Sequence, residues 1–210
     1  MNPSSAQTRR LVVRAIDGDR AAIEELLACY RPQLRRMVAV RMDSRLKARF
    51  DPSDVVQIVL AEAAQKMVAF QNPPEQFYPW LRQLAWDELA RLHRDHIRTK
   101  KRSVSREDDD WQGRTADESM MQLADRLAAQ QLGPGSRLIH KELRARVRTA
   151  LAQLAPQDRE VLVLRFLEQL GISDTAAALG ISESAVKSRQ FRAVERLGKL
   201  LSDLRAEGQS

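Results

Sequence analysis

The sequence predicts an all-α protein of two small helical domains joined by a flexible linker. Apolar residues recur at helical spacing in nearly every segment of the 210-residue chain, and no stretch alternates apolar and polar residues over the length of a strand. The length suits two domains, since typical domains hold roughly 100 to 150 residues. A change in charge marks an edge between them, because residues 91–106 carry seven basic side chains and one acidic one, whereas residues 107–118 carry six acidic and one basic.

The overall charge and the cysteine content limit the kinds of partner and compartment. A formal net charge of +7 favours a polyanionic partner such as nucleic acid. The single cysteine, Cys29, cannot form an internal disulfide, and the N-terminal stretch MNPSSAQTRR lacks the apolar run of a signal peptide. No segment approaches the roughly 18 apolar residues that a membrane span needs. We therefore expect a cytoplasmic protein without a membrane partner.

The first predicted helix of the N-terminal domain has an apolar stripe. Its members are Ile23, Leu26, Leu27, Tyr30, Leu34 and Met37. Pro32 lies inside the run and indicates either a kink or a restart of the helix. Cys29 lies on the apolar side and is expected to be a small buried residue.

The sequence DPSD, residues 51–54, predicts the start of a second helix. Asp51 or Ser53 can cap it, Pro52 suits its first turn, and it should continue to about Ala69. The core stripe consists of Val56, Val59, Leu60, Ala63 and Met67. The opposite stripe consists of Asp54, Ile58, Ala61 and Gln65. An isoleucine among acidic and amide side chains suits a protein interface better than a DNA interface.

The second half of the chain begins with a polar linker. We assign residues 1–106 to the first domain, 107–137 to the linker and 138–210 to the second domain. The linker includes GPG at 133–135 and has room for one helix around the apolar patch 120–127. In the second domain one stripe contains Val147, Leu151 and Leu154. A new helix starts at Pro156, and its apolar positions include Val161, Leu164 and Phe166.

A helix-turn-helix follows. Ala176 to Leu179 forms a short helix, Gly180 a left-handed cap, and Ser182 the N-cap of a basic helix with the sequence SESAVKSRQFRAVERL. Its inward stripe contains Val186, Ala193 and Leu197, and also Gln190, where an apolar residue is expected.

The outward face of this second helix is polar, basic and partly aromatic. Its residues are Ser184, Lys187, Ser188, Phe191 and Arg192. Lys187 and Arg192 can bind phosphate or guanine, Ser188 can donate or accept, and Phe191 can contact a thymine methyl group in the major groove. The pattern alone leaves a second interpretation open, a packed αα-hairpin with a solvated charged face.

Longer stretches resemble a known family. Residues 151–197, LAQLAPQDREVLVLRFLEQLGISDTAAALGISESAVKSRQFRAVERL, resemble region 4 of bacterial extracytoplasmic-function (ECF) sigma factors of the sigma-70 family. The stretches AIEELLACYRPQL, DPSDVVQIVLAEAAQKM and FYPWLRQLAWDELARLHRDHIRTKKR resemble region 2, in the same order. The resemblance covers about three quarters of the chain.

The resemblance implies a sigma factor, which is not an enzyme, needs no cofactor and gives core RNA polymerase its promoter specificity. Region 2 would bind the clamp of the β′ subunit and open promoter DNA at the minus-10 element. Region 4 would bind the flap of the β subunit and read the minus-35 element, which makes Ser184, Lys187, Ser188, Phe191 and Arg192 its DNA contacts. An anti-sigma factor is a further partner that the resemblance allows.

The resemblance also assigns sites in the first domain. The clamp-binding residues are Asp54, Gln57, Ile58, Ala61, Glu62 and Gln65. The loop FQNPPEQF, 70–77, would hold a base flipped out of the nontemplate strand, which costs a few kcal/mol to unstack. The minus-10 and melting residues are Gln71, Asn72, Gln76, Asp87, Arg91, Arg94, Arg98, Lys101 and Arg102. Asp87 stands where the family usually has Asn, and an ionised Asp accepts hydrogen bonds but cannot donate one.

Other interpretations compete with this one. A conventional helix-turn-helix repressor or activator would carry an N-terminal ligand-binding or dimerisation domain. A metal-dependent nuclease would use Asp51, Asp54 and Glu62, and HRDH at 93–96 would offer two histidines to a metal, but a third ligand is not evident and neighbouring arginines repel a cation. Trp80 and Trp86 are expected in the core rather than as stacking platforms.

Overall fold

The computed structural model describes residues 5–100, 118–127 and 137–207, with the backbone alone at 5, 44, 96–100, 137–140 and 203–207. Throughout these ranges the regular elements are helices, so the all-α prediction is confirmed. The chain divides into two compact units, Met1–Thr115 and Ala116–Ser210, and the division falls within the predicted linker.

Each unit contains a series of helices, named here in chain order. The first unit has α1 Ser5–Ile16, α2 Arg20–Arg41, α3 Ser44–Lys47, α4 Pro52–Lys66, 3-10 turns at Met67–Ala69 and Pro74–Gln76, and α5 Phe77–Lys100. The second unit has α6 at 118–127, α7 Arg137–Ala152, α8 Pro156–Leu162, a π-helical segment Val163–Leu167, α9 Ile172–Leu179 and α10 Glu183–Glu207.

α2 is one helix that runs through Pro32. The helix therefore does not restart at Pro32. Asp19 caps the helix, since its Oδ1 accepts from the amide of Ala22 at 3.1 Å, and Gly18 supplies the positive φ of 86° that the preceding turn needs. The expectation for Cys29 needs correction, because this side chain lies at the edge of the apolar stripe and is half-buried.

α4 begins at Pro52 because Asp51 caps it, its Oδ1 accepting from the amide of Ser53 at 2.7 Å. Ser53 does not cap but accepts from Arg35 Nε at 3.0 Å. The bonds from the Ser53 amide and then its hydroxyl lower the pKa of Asp51. The core stripe predicted for this helix is buried throughout, and the helix ends in the 3-10 turn that reaches Ala69.

An aromatic cluster holds α2 and α5 together. The ring of Tyr30 lies 5.3 Å from that of Phe77 and stacks on Tyr78 at 5.7 Å. Its hydroxyl lies 2.9 Å from Thr8 Oγ1 of α1 in a buried hydrogen bond. Burying an aromatic side chain contributes about 1.5 to 3 kcal/mol, so this cluster is a substantial part of the first core. α1, which precedes the first helix predicted from the sequence, belongs to that core.

The second unit begins with α6, inside the segment predicted as the linker. Leu123 and Ala124 are buried, and Asp125 Oδ1 lies 3.2 Å from Arg144 Nε on α7. α10 packs on α7, α8 and α9. Six predicted core residues are Val147, Leu151, Leu154, Val161, Leu164 and Phe166; the first five are buried, and Phe166 is half-buried.

Candidate nucleic-acid interface

α9, its turn and α10 form the predicted helix-turn-helix. Gly180 has φ 64° and ψ 34°, and the amide of Ile181 donates to the carbonyl of Ala176 at 3.0 Å, which ends α9. Ser182 Oγ accepts from the amide of Ala185 at 3.2 Å, so Ser182 caps α10. Val161, Ala176 and Val186 form one buried cluster that holds the two helices at their crossing.

The five predicted recognition residues of α10 all lie on its exposed surface. They are Ser184, Lys187, Ser188, Phe191 and Arg192. Phe191 is 70% exposed, which is unusual for an aromatic side chain, and the basic groups of Lys187 and Arg192 share its face. An exposed ring flanked by cations offers both an apolar contact and phosphate or base-edge donors.

On the opposite side of α10, the inward-facing Gln190 has a hydrogen-bond partner. Its Oε1 accepts from Arg165 Nε, 3.0 Å away in the π-helical segment. A polar side chain at a core-facing position is stable when it is hydrogen-bonded, so Gln190 replaces apolar packing with a polar link. The sequence indicated that Gln190 was anomalous but did not identify this partner.

The predicted clamp-binding face of α4 is exposed except at one position. Asp54, Gln57, Ile58, Ala61 and Gln65 lie at the surface, and Ile58 is 43% exposed. Glu62 is half-buried, and its Oε1 accepts from Lys66 Nζ at 2.6 Å. The structure therefore brings an apolar side chain and several polar ones together on one surface of the first unit.

The loop 70–77 is fixed at both ends and polar between them. Phe70 and Phe77 are buried and their rings lie 5.8 Å apart. Between them the three predicted base-contacting residues, Gln71, Asn72 and Gln76, are exposed. Glu75 Oε1 accepts from Arg9 of α1 at 2.6 Å, and the pKa of Glu75 is lowered, first by its own backbone amide and then by Arg9.

On α5 the predicted minus-10 and phosphate-binding residues differ in their environments. Asp87 is exposed and accepts from Gln83 Nε2 at 2.9 Å, a partner that the sequence did not indicate. Arg91 donates to both carboxylate oxygens of the buried Glu88, at 2.6 and 2.7 Å. These hydrogen bonds, followed by the charges of Glu88 and other acidic groups, raise the pKa of Arg91.

The rest of the predicted basic run is described only in part. Arg94 is exposed on α5. Arg98 belongs to α5, but its side chain lies outside the described residues, as do Lys101 and Arg102 altogether. The predicted phosphate-binding run is therefore represented by two exposed residues, Arg91, which already has carboxylate partners, and Arg94.

The two tryptophans expected in the core are in fact half-buried. Trp80 packs on Phe70, with ring centroids 5.1 Å apart. Two guanidinium groups lie over the ring of Trp86, those of Arg41 at 5.6 Å and Arg82 at 5.8 Å from its centroid. Such cation–π contacts are electrostatically favourable, so the ring of Trp86 has charged neighbours rather than purely apolar ones.

Neither histidine of HRDH forms part of a described metal centre. His93 is buried and its Nδ1 lies 3.1 Å from Asp43 Oδ2, whereas the side chain of His96 lies outside the described residues. Among the described side chains, no group of three or more His, Cys, Asp or Glu is placed to hold a metal ion. Likewise, none of the helices described is long and apolar enough to cross a membrane.

The second unit also contains an apolar groove of about 210 Å³. It is lined by Leu127, Val147, Leu162, Phe166, Val194, Leu197, Gly198 and Leu201. On α10 these groove residues follow the exposed recognition residues along the chain, and Val194 is 48% exposed. One helix therefore carries the predicted recognition residues at 184–192 and contributes to an apolar groove from Val194 onward.

Two family models match separate parts of the chain. The model described as Sigma-70, region 4 matches residues 144–197, which include α8, α9 and most of the exposed face of α10. A model described as Helix-turn-helix domain matches residues 9–51, which include α2 and α3.

Two of the relatives that align over most of their length are ECF RNA polymerase sigma factors. The chain is 30% identical over 192 residues to ECF RNA polymerase sigma factor ShbA of Streptomyces griseus, covering 90% of this chain and 93% of that protein. It is 27% identical over 187 residues to ECF RNA polymerase sigma factor SigD of Mycobacterium tuberculosis, covering 89% and 80%. A structure of CnrH in complex with the cytosolic domain of CnrY matches 94% of this chain and 98% of the solved chain at 23% identity, with a TM-score of 0.47.

Proposed function

Because this chain belongs to the ECF sigma factors, which direct RNA polymerase in transcription initiation, we propose that its two units recognise separate parts of a promoter. The second unit would read the duplex minus-35 element, and the first would bind core polymerase and the melted minus-10 element. Family membership disfavours the alternative of a conventional helix-turn-helix repressor or activator.

The observation that carries the proposal is the exposed face of α10. Phe191 is 70% exposed beside Lys187 and Arg192, and all three precede the part of α10 that lines the groove. A major groove admits one α-helix and presents a thymine methyl group, guanine acceptors and phosphates to such a face. We therefore assign minus-35 contacts to this face, together with Ser184 and Ser188.

The apolar groove of the second unit is the surface that we assign to the flap of the polymerase β subunit. Its lining is almost entirely aliphatic, and Val194 and Leu201 of α10 belong to it. A protein segment with apolar side chains would bury that surface, whereas DNA would not. Because the groove residues follow the recognition residues on α10, both partners could bind the same helix.

In the first unit we assign the exposed side of α4 to the clamp of the β′ subunit. Ile58 supplies an apolar centre, and Asp54, Gln57 and Gln65 supply polar groups around it. An apolar centre with a polar rim is typical of protein interfaces. Ala61 and Glu62 complete the assigned surface.

The loop 70–77 and α5 would bind the melted minus-10 element. Gln71, Asn72 and Gln76 are exposed on a loop whose two ends are anchored by buried phenylalanines, so their amides could contact the edge of a flipped base. Asp87, whose Oδ1 accepts from Gln83, lies on the exposed side of α5. Arg94 would bind phosphate, and Arg98, Lys101 and Arg102 would extend that role.

Three further assignments follow from membership of this family. Chemistry would be carried out by RNA polymerase rather than by this chain, which needs no cofactor. The protein would act in the cytoplasm, where the polymerase transcribes the chromosome. An anti-sigma factor would control it by covering the same exposed surfaces that core polymerase needs.

Reconstitution with core RNA polymerase tests the proposal. The purified protein should co-elute with core enzyme and should direct transcription from a defined subset of a genomic library, with two common sequence elements upstream of the mapped start sites. Core enzyme alone is the control. A chain that binds DNA specifically without core enzyme, and that fails to co-elute with it, would contradict the proposal.

A further inference from the structure

The helix that precedes the helix-turn-helix ends in an unusual way. Residues Val163–Leu167 form a π-helical segment, in which the amide of Glu168 donates to the carbonyl of Val163 at 3.0 Å. Gln169 then has a positive φ of 58°, an uncommon conformation for a residue other than glycine. π segments are rare in proteins overall, and those that occur are often at functional sites. The contacts made by the residues of this segment therefore bear on function.

Arg165 lies at the centre of the π-helical segment and connects two other parts of the second unit. Its Nε donates to Gln190 Oε1 at 3.0 Å, and a terminal nitrogen donates to the carbonyl oxygen of Leu170. Leu170 lies in the turn that leads into α9, and Gln190 lies on α10. One half-buried guanidinium therefore links the turn before the first helix of the helix-turn-helix with its second helix.

The position of Gln190 places the hydrogen bond from Arg165 next to the recognition residues of α10. Gln190 immediately precedes Phe191 and follows Lys187 by three residues, so a hydrogen bond to its side chain restrains the part of α10 that carries the recognition residues. The side chains of an α-helix project from one axis at about 100° intervals. A rotation of α10 about that axis therefore turns all recognition side chains by the same angle and changes the direction in which each one points. Apolar packing is non-directional, whereas a hydrogen bond from a planar guanidinium fixes an orientation.

We propose that Arg165 is a positioning residue for base reading. By binding Gln190 and the carbonyl of Leu170 together, it fixes the rotation of α10 relative to the start of α9, so that Lys187, Phe191 and Arg192 meet the base edges in register. The inference rests on the proposed function of α10 as the minus-35 reader. Arg165 itself acts through Gln190 and not through a base.

The sharpest variant is Gln190→Leu, which keeps a side chain of similar size in the helix and removes the acceptor. Arg165→Ala removes the donor, and Gln190→Glu keeps an acceptor. Each holoenzyme would transcribe a promoter library randomised in the minus-35 element, below the melting temperature of every variant. Arg148→Ala removes an equal charge from the exposed surface of α7 and serves as the control.

Gln190→Leu and Arg165→Ala should reduce discrimination between preferred and scrambled elements by about threefold or more, less than the roughly tenfold effect of losing a good base contact. Their double variant should lose no more than the worse single variant, since both remove one link. Gln190→Glu and Arg148→Ala should keep the wild-type profile.

Two outcomes would overturn the inference in distinguishable ways. If Gln190→Leu and Arg165→Ala lower the melting temperature but keep the base preferences, while Phe191→Ala changes them, the link is structural and only this inference fails. If Phe191→Ala also keeps the wild-type preferences, α10 is not the reader, and the proposed function of this face fails together with the inference.

Discussion

His93 Nδ1 on α5 lies 3.1 Å from Asp43 Oδ2, and both side chains are buried. The other carboxylate oxygen of Asp43 accepts from the amide of Leu46 at 2.8 Å, so Asp43 also caps the short helix α3. One buried carboxylate therefore joins α3 to α5 at a position of α5 that lies between Arg91 and Arg94. His93, which the sequence offered as a metal ligand, instead has this structural contact.

Asp43→Ala should destabilise the first unit by about 2 to 4 kcal/mol, because it removes a helix cap and leaves His93 buried without its carboxylate. Asp43→Asn keeps an acceptor for the Leu46 amide and is the matched control. Urea denaturation followed by circular dichroism would measure the free energy of unfolding. An equal loss in both variants would mean that the charge of Asp43, rather than its hydrogen bond from the Leu46 amide, provides the stability.

Ile58→Glu combined with Asp54→Arg should abolish binding to core polymerase, because it reverses one charge and places another in the apolar centre of the proposed clamp surface. Both residues are exposed, so the melting temperature should change little. Val13→Glu, at an apolar position of α1 that is 53% exposed, controls for the loss of a surface hydrophobic group. Co-elution of the folded double variant with core enzyme at the wild-type level would refute the assignment of this face.

Arg94→Ala should weaken promoter complexes nearly equally for all sequences and make the salt dependence of binding shallower by about one counterion. Arg91→Ala should change that slope less, because the guanidinium of Arg91 is already bound to Glu88 and Asp95. Polymerase–promoter affinity measured over a salt series would separate the two variants. Equal slopes for both would show that Arg91 exchanges its carboxylates for phosphate.

The elements predicted with most detail are those specified by local chemistry. Asp51 with Pro52, Gly180, and Ser182 are cap signals whose geometry depends on a few neighbouring residues, and all of them form as predicted. Helical periodicity likewise separated the buried and exposed sides of α4 and α10, because burial follows the repeat of the helix.

The features that the sequence did not predict depend on contacts between distant residues. α1 is fixed by the buried hydrogen bond between the hydroxyl groups of Thr8 and Tyr30, 22 positions apart, and no local pattern indicates that pairing. Trp86 is half-buried and has the guanidinium groups of Arg41 and Arg82 over its ring, contacts that size and polarity alone do not indicate. Gln190 could be recognised as anomalous, but its donor, Arg165, depends on a π-helical segment that no propensity indicates.

Substitution of the exposed aromatic and basic residues of α10 should change sequence preference and not only affinity. Phe191 and Arg192 lie on one exposed face, and each good side-chain contact to a base contributes about 1 to 3 kcal/mol of discrimination. Phe191→Ala or Arg192→Ala should therefore reduce transcription roughly tenfold or more at the native minus-35 element and less at scrambled ones. Contacts to phosphate alone would reduce both equally.

The measurement is transcription by reconstituted holoenzyme across a library randomised in the minus-35 element. Arg196→Ala removes a basic side chain from a later, exposed position of α10 and should keep the wild-type preferences, since Arg196 lies outside the recognition set. Phe191→Ala should lose preference at the positions where the wild type favours thymine, because the ring would contact the thymine methyl group. If both recognition variants lower transcription from every promoter by the same factor and keep the wild-type order of base preferences, then α10 binds the DNA backbone and another surface reads the element.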